Sequence, residues 1–88
     1  MAAGTHFRSR AYNNKAFVYR LYHQYSTAVE PFRQAIALYR QVDIRDEMAD
    51  SINNLALVYA NLGALDEAEA LADDGRDLRE RLAQRYPF

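Results

Sequence analysis

The chain of 88 residues contains no cysteine and no tryptophan, only two prolines and three glycines, and no long apolar run. The absence of cysteine excludes disulfides and thiolate metal ligands. No stretch approaches the roughly 18 apolar residues that a membrane span requires. The start, MAAGTHFRSR, lacks the continuous apolar segment of a secretory signal. A cytoplasmic location without a membrane partner is therefore expected.

Residue patterns typical of catalytic, metal-binding or phosphate-binding sites are also missing. The only histidines, His6 and His23, are not spaced as metal ligands are in known motifs. The three glycines are scattered, so they form no phosphate-binding loop, and no serine lies in a nucleophile elbow. The sequence thus predicts a protein that is not an enzyme, with no catalytic residues, no metal and no cofactor.

The net charge of −1 conceals an uneven distribution of charge. Residues 1–42 contain six basic residues and one acidic residue, a balance of +5, whereas residues 43–88 contain five and eleven, a balance of −6. Such a division is compatible with a nucleic-acid surface, with head-to-tail association, or with two separately solvated faces, and we favour the solvated faces. Because no nucleic-acid motif accompanies the basic half and the domain is not basic overall, no nucleic-acid partner is expected.

Helical periodicity runs through the whole chain. Apolar and small residues recur every three or four positions in four segments, and the strict alternation typical of strands is absent. We predict an all-α fold with four antiparallel helices near residues 8–23, 27–42, 46–62 and 65–85, each followed closely by the next.

The predicted breaks follow turn chemistry. Gly63 can adopt a positive φ cheaply at a helix end, and His23 occupies the equivalent place at some cost. Ser26 or Thr27 can cap the second helix, and Asp43 or Asp46 can cap the third.

The second half of the chain repeats the first at a separation of forty residues. Placing residues 11–42 on 51–82 gives seven identities, at Asn13/Asn53, Asn14/Asn54, Ala16/Ala56, Val18/Val58, Tyr19/Tyr59, Ala28/Ala68 and Leu38/Leu78. A fixed period of 20–50 residues is typical of solenoids, in which each unit packs against its neighbour. The alternative is a simple four-helix bundle, which would bring the first and fourth helices into contact.

Residues 51–78 carry a pattern that resembles the tetratricopeptide repeat family. The matching positions are Leu55-Ala56, Tyr59, Leu62-Gly63, Leu65, Asp66-Glu67-Ala68 and Leu78, and residues 11–38 match more loosely. The period of forty exceeds the usual thirty-four and is similar to that of extended repeats in kinesin light chain and in large bacterial regulators. The resemblance implies a single domain over residues 1–88, an α-solenoid segment of two helix-turn-helix hairpins, with repeat 1 at about 8–42 and repeat 2 at about 46–85.

The resemblance also implies a binding surface, because the first helix of each hairpin lines the concave face in this family. The repeated asparagine pairs are suited to holding the backbone of an extended peptide. The other possibility is that one asparagine of each pair bonds between hairpins while the other faces water. The predicted concave-face residues for a protein or peptide partner are Asn13, Asn14, Phe17, Arg20, Leu21, Asn53, Asn54, Leu57 and Asn61.

We interpret the chain as a protein–protein interaction module used in assembly, as a scaffold, or in peptide docking. Assembly ranks first because two repeats form little groove and leave two apolar ends uncovered. Tyr12 and Tyr22 are predicted to contact another chain in a homo-oligomer. The alternative function is that of a sensor or regulatory fragment of a larger bacterial transcription or signalling regulator.

Overall fold

In the computed structural model, residues 2–85 are described, with side chains for residues 4–84, and four helices fill almost all of this range. They are α1 (Ala2–Leu21), α2 (Tyr25–Gln41), α3 (Arg45–Asn61) and α4 (Leu65–Arg85). No strand occurs within residues 2–85. None of the helices in this range is long and apolar enough to cross a bilayer.

Three turns of the same conformation separate the helices. His23, Asp43 and Gly63 have φ values of 59°, 56° and 80°, so a left-handed residue occurs every twenty positions. After each of them, the amide of the next residue donates to the carbonyl of a tyrosine five residues earlier: Gln24 to Tyr19, Ile44 to Tyr39 and Ala64 to Tyr59. This is the Schellman pattern of helix termination, in which a left-handed residue lets the last carbonyls find donors.

The core lies where small residues allow the helices to approach closely. Ala16 on α1 and Ala28 on α2 are completely buried, and so are Phe32 and Val58 beside them. Small residues at crossings with large residues between them are the ridges-into-grooves arrangement of packed helices. Leu55 and Ile52 bring α3 into the same cluster, so that the core continues from one hairpin into the next.

Each helix packs mainly on its neighbour in the chain. α1 packs on α2, α2 on α3 and α3 on α4, while α1 reaches α3 at only a few points. Within the described residues α1 makes no contact with α4, which excludes the four-helix bundle. The predicted all-α fold of two stacked hairpins is confirmed.

The helix starts differ from the prediction in two ways. α1 begins six residues earlier than residue 8, because Thr5 and Ser9 are buried against the rest of the molecule. The predicted caps are wrong: α2 and α3 begin before Ser26, Thr27 and Asp46, and Gln24 and Ile44 at the cap positions make no side-chain capping bond. Asp43 is instead the left-handed turn residue, and its Oδ1 accepts a hydrogen bond from Arg45 Nε at 2.8 Å.

Candidate functional site

Part of the predicted concave face forms an exposed stripe on α1. Asn14, Phe17 and Leu21 are spaced by three and four residues and therefore share one side of the helix. All three are exposed, with Phe17 at 39% and Leu21 at 59%. Half-buried Arg20 places its guanidinium carbon 5.8 Å from the centre of the Phe17 ring.

The equivalent stripe on α3 contains Asn54, Leu57 and Asn61. Leu57 is 40% exposed, Asn61 is exposed and Asn54 is half-buried. The Asn61 side-chain amide donates to the Leu57 carbonyl at 2.8 Å, so it already uses one donor within its own helix. The two stripes together are called the concave stripe below.

The remaining two asparagines lie elsewhere. Asn13 Oδ1 accepts a hydrogen bond of 2.8 Å from the Ser51 hydroxyl, and Ser51 is completely buried between the hairpins. Asn53, forty residues later, lines a groove between α3 and α4 together with Gly75 and Arg79. The structure thus places Asn13 at the contact between the hairpins, Asn53 in the groove between α3 and α4, and the second asparagine of each pair in the concave stripe.

The other predicted contacts, Tyr12 and Tyr22, belong to an uncovered side of α1. Val58 of α3 is completely buried, yet its equivalent Val18 is 49% exposed. Ile52 is 5% exposed against 37% for its equivalent Tyr12, and Tyr22 at the end of α1 is 75% exposed. These residues of α3 are covered because α3 packs on α2, whereas none of the described helices packs on the corresponding side of α1. Tyr12, Lys15, Val18 and Tyr22 are called the α1 face below.

The opposite end of the molecule does not match the prediction of an uncovered apolar surface. The groove between α3 and α4 has a volume of about 410 Å³, and Arg76, Arg79 and Glu80 lie along it beside Ala72 and Gly75. Hairpin 1 has Ile36 and Tyr39 where hairpin 2 has Arg76 and Arg79. In the described residues, then, the exposed apolar surface is concentrated at the α1 end.

A polar cluster joins the hairpins beside α1, and sequence reasoning missed it. His6 Nε2 lies 3.2 Å from Glu47 Oε2, and the Ser9 hydroxyl donates to the His6 carbonyl at 2.6 Å. Burial and the neighbouring Glu47 carboxylate raise the pKa of Tyr39 to about 12, although Ser9 and Arg10 act in the opposite direction. The only signal in the sequence was that His6 and Ser9, three residues apart, would share one face if α1 extended that far.

The described residues contain no cluster of side chains suited to binding a metal ion. Within residues 2–85, no group of three or more His, Asp or Glu side chains is placed to hold an ion. Every buried side-chain nitrogen or oxygen in the described residues has a hydrogen-bond partner. The concave stripe and the α1 face present exposed apolar, amide and basic groups.

Comparison with known proteins bears on what these surfaces do. A family model described as tetratricopeptide repeat matches residues 8–42 and 48–85. Neither a search of curated proteins nor a search of solved structures found a match. Repeats of this kind generally mediate protein–protein interactions and are typically non-catalytic. The two matched segments cover more than half of the chain and coincide with the two stacked hairpins, and the chain therefore belongs to the tetratricopeptide repeat family.

Proposed function

We propose that the chain is a non-catalytic module that assembles with a second copy of itself, head to tail, through the α1 face. The observation that carries this proposal is the difference in exposure between two equivalent valines: Val18 is 49% exposed, whereas Val58 is buried. The same residue in the same repeat position is covered when a helix of another hairpin lies beside it. In this proposal the two hairpins act as one cytoplasmic domain over residues 1–88.

The groove between α3 and α4 of the second copy suits the α1 face in shape. Ala72 stands where hairpin 1 has the larger Phe32, which packs in the same buried cluster as Ile52 and Leu55 of α3. Conversely, α1 has Tyr12 where α3 has Ile52. Larger residues on one side thus oppose smaller residues on the other, as close packing of two surfaces requires.

Charge supports the same pairing. Arg8, Lys15 and the other basic residues of the first half would approach Glu80 and the acidic second half. Arg76 and Arg79 at the groove are already paired, with Asp73 at 3.3 Å and Asp50 at 2.8 Å, which reduces their repulsion of α1. Exposed charge pairs are screened by salt, so the association should weaken as ionic strength rises.

The test is sedimentation equilibrium over a range of protein concentrations with two variants. Val18→Glu should shift the chain towards monomer, since it places a carboxylate at an apolar contact. Gln41→Glu adds the same charge at an exposed position of α2, outside the α1 face, and should leave the equilibrium unchanged. A wild-type chain that remains monomeric at every concentration would remove the proposal, and so would an equal effect of both variants.

Docking of a peptide on the concave stripe is the second candidate, favoured by the exposure of Phe17, Leu21 and Leu57 beside asparagine amides. Binding to a peptide array should fall when Asn14 and Asn54 are both replaced by alanine. The alternative use, within a larger bacterial regulator, would be supported by a DNA-binding or nucleotide-binding region in the full gene.

A further inference from the structure

A groove on the side of the molecule formed by α2 and α4 has no role in the assembly proposed above. Two adjoining cavities of about 400 and 250 Å³ share Ile36, Arg40 and Leu71 as lining residues and therefore form one continuous groove. Its floor is α3, through Leu55 and its neighbours. No Cα atom of α2 lies within 8 Å of a Cα atom of α4 in the described residues, so nothing in this range closes the groove from above.

The two walls of the groove carry opposite charges. Arg33 and Arg40 stand on the α2 wall, seven residues apart, which is about 10 Å along a helix. The α4 wall is acidic in balance and contains Glu67, Asp74, Asp77 and Arg81.

Neither wall neutralises the other. Among the described residues no ion pair crosses the groove, and neither Arg33 nor Arg40 has a carboxylate partner. Arg33 Nη2 donates to the Tyr59 hydroxyl of α3, so its observed hydrogen bond is to α3 and not to a carboxylate of α4. An apolar floor between two separated rows of opposite, unpaired charge is complementary to a body that has an apolar face flanked by one charged row of each sign.

We infer that this groove is a docking site for an amphipathic helix of a partner protein, whose apolar face lies on Ile36, Leu55 and Leu71 and whose flanks carry an acidic row against α2 and a basic row against α4. Charge complementarity selects this occupant, because a segment with flanks of one sign would meet repulsion at one wall. The acidic wall from Glu67 to Arg81 spans fourteen residues, or about 21 Å, which is the length of about four helical turns. Neighbouring helices pack with their axes 8–10 Å apart, so the guest would lie over α3 and touch both α2 and α4.

The experiment uses three synthetic stapled helices of about 16 residues with the same leucine face. One has an acidic and a basic flank, the second has two acidic flanks and the third has two basic flanks. Fluorescence anisotropy at low salt should show the mixed-charge helix binding about fivefold more tightly than either uniform helix. Binding is measured in the Val18→Glu protein as well, where the affinity should be unchanged because the α1 face lies on another side.

A specificity switch makes the test independent of any loss of stability. The double variant Arg33→Glu/Arg40→Glu makes both walls acidic, so the helix with two basic flanks should become the tightest of the three. The matched variant Asp74→Arg/Asp77→Arg should instead favour the helix with two acidic flanks. In each case the expected result is a gain of binding, which an unfolded protein cannot produce.

Several results would overturn the inference. They are equal affinity of the three helices for the wild-type chain, absence of binding by all of them, or a switch that fails to follow the charge of the walls. Amide shifts on binding should appear at Leu55 and Leu71; shifts confined to Leu57 and Asn61 would place the helix on the concave stripe. If Arg33→Glu/Arg40→Glu abolishes self-association of the chain, a second copy occupies the groove instead.

Discussion

At the scale of single residues, Asn13 and Ser51 tie the two hairpins together. The Ser51 hydroxyl is completely buried and donates to Asn13 at 2.8 Å. Asn13→Ala leaves that hydroxyl without this acceptor, and a buried polar group without a partner costs about 1–3 kcal/mol. We expect urea denaturation to show a loss of unfolding free energy in this range.

Asn14→Ala is the matched control for this prediction. Asn14 is exposed, and both substitutions gain the same helix propensity, of about 0.5 kcal/mol. The difference between the two variants therefore isolates the hydrogen bond. If Asn13→Ala and Asn14→Ala have equal stability, Asn13 does not hold the hairpins together.

Ionisation of the Tyr39 phenol should lower the stability of the fold at alkaline pH. Its pKa is raised from 10 to about 12 in the folded chain, chiefly by burial and then by Glu47, so folding favours the protonated phenol. This stabilisation is complete below the unfolded pKa of about 10 and is lost as pH rises towards about 12. One pH unit above 10, the loss should be about 1 kcal/mol.

Thermal melts of wild type and Tyr39→Phe at increasing pH measure this effect. Other tyrosines also ionise in this range, so the informative quantity is the difference between the two proteins. The stability of Tyr39→Phe should fall less steeply above pH 10. Parallel curves for the two proteins would show that the Tyr39 phenol does not contribute.

These residue-scale features were only partly visible in the sequence. The asparagine pairs were recognised as candidates for either peptide contact or inter-hairpin bonding, and the structure places Asn13 in such a bond. The contact of His6 with Glu47 joins residues 41 positions apart. No local pattern encodes that pair, because it depends on how one hairpin stacks on the other.

At the scale of the helices, the three turns differ in how well their residues suit a left-handed backbone. Gly63 adopts φ 80° freely, whereas His23 adopts φ 59° with a side chain present, a conformation that costs an L-residue about 1–2 kcal/mol. The His23 ring stacks on Tyr25 at 5.7 Å between centroids and offsets part of this cost. His23→Gly should therefore raise the unfolding free energy by about 0.5–1 kcal/mol, measured by urea denaturation.

Gly63→Ala is the reciprocal change and should lower the unfolding free energy by about 1 kcal/mol. No atom outside the adjacent backbone lies within 4 Å of a Cβ built at Gly63, so the effect arises from φ alone and not from a clash. A stabilising Gly63→Ala would contradict the assignment of this position as a left-handed turn.

Helix positions could be predicted from the sequence, but the exact starts of α1 and α2 could not. Apolar periodicity and Gly63 set the ends of α3 and α4 to within about two residues. The predicted cap residues Ser26 and Thr27 both lie inside α2, because the turn at His23 already commits the chain to helix from Tyr25. Tertiary burial of Thr5 and Ser9 likewise extends α1 through residues of modest helix propensity.

At the scale of the whole molecule, the linear order of contacts predicts uneven stability. α2 and α3 have a packed neighbour on each side, whereas α1 and α4 have one each. In solenoids, stability is a sum of units and nearest-neighbour interfaces, so the outer helices open first. Amide hydrogen exchange should be slowest in α2 and α3 and faster in α1 and in the last turns of α4. Uniform protection of all four helices would indicate that the chain opens as one cooperative body.

The equal spacing of His23, Asp43 and Gly63 also governs how a chain of this kind can lengthen. Each turn reverses the chain direction, and the helices before and after it carry different residues at equivalent positions: Ala16 is followed twenty residues later by Ile36 and forty residues later by Ala56. Gaining one twenty-residue unit would preserve every turn but leave an unpaired helix with its apolar side open to water. Gaining forty restores both the direction and the matching side. Duplication within such a gene is thus constrained to pairs of helices. An in-frame insertion of a single twenty-residue helix would be selected against, although it disturbs no turn.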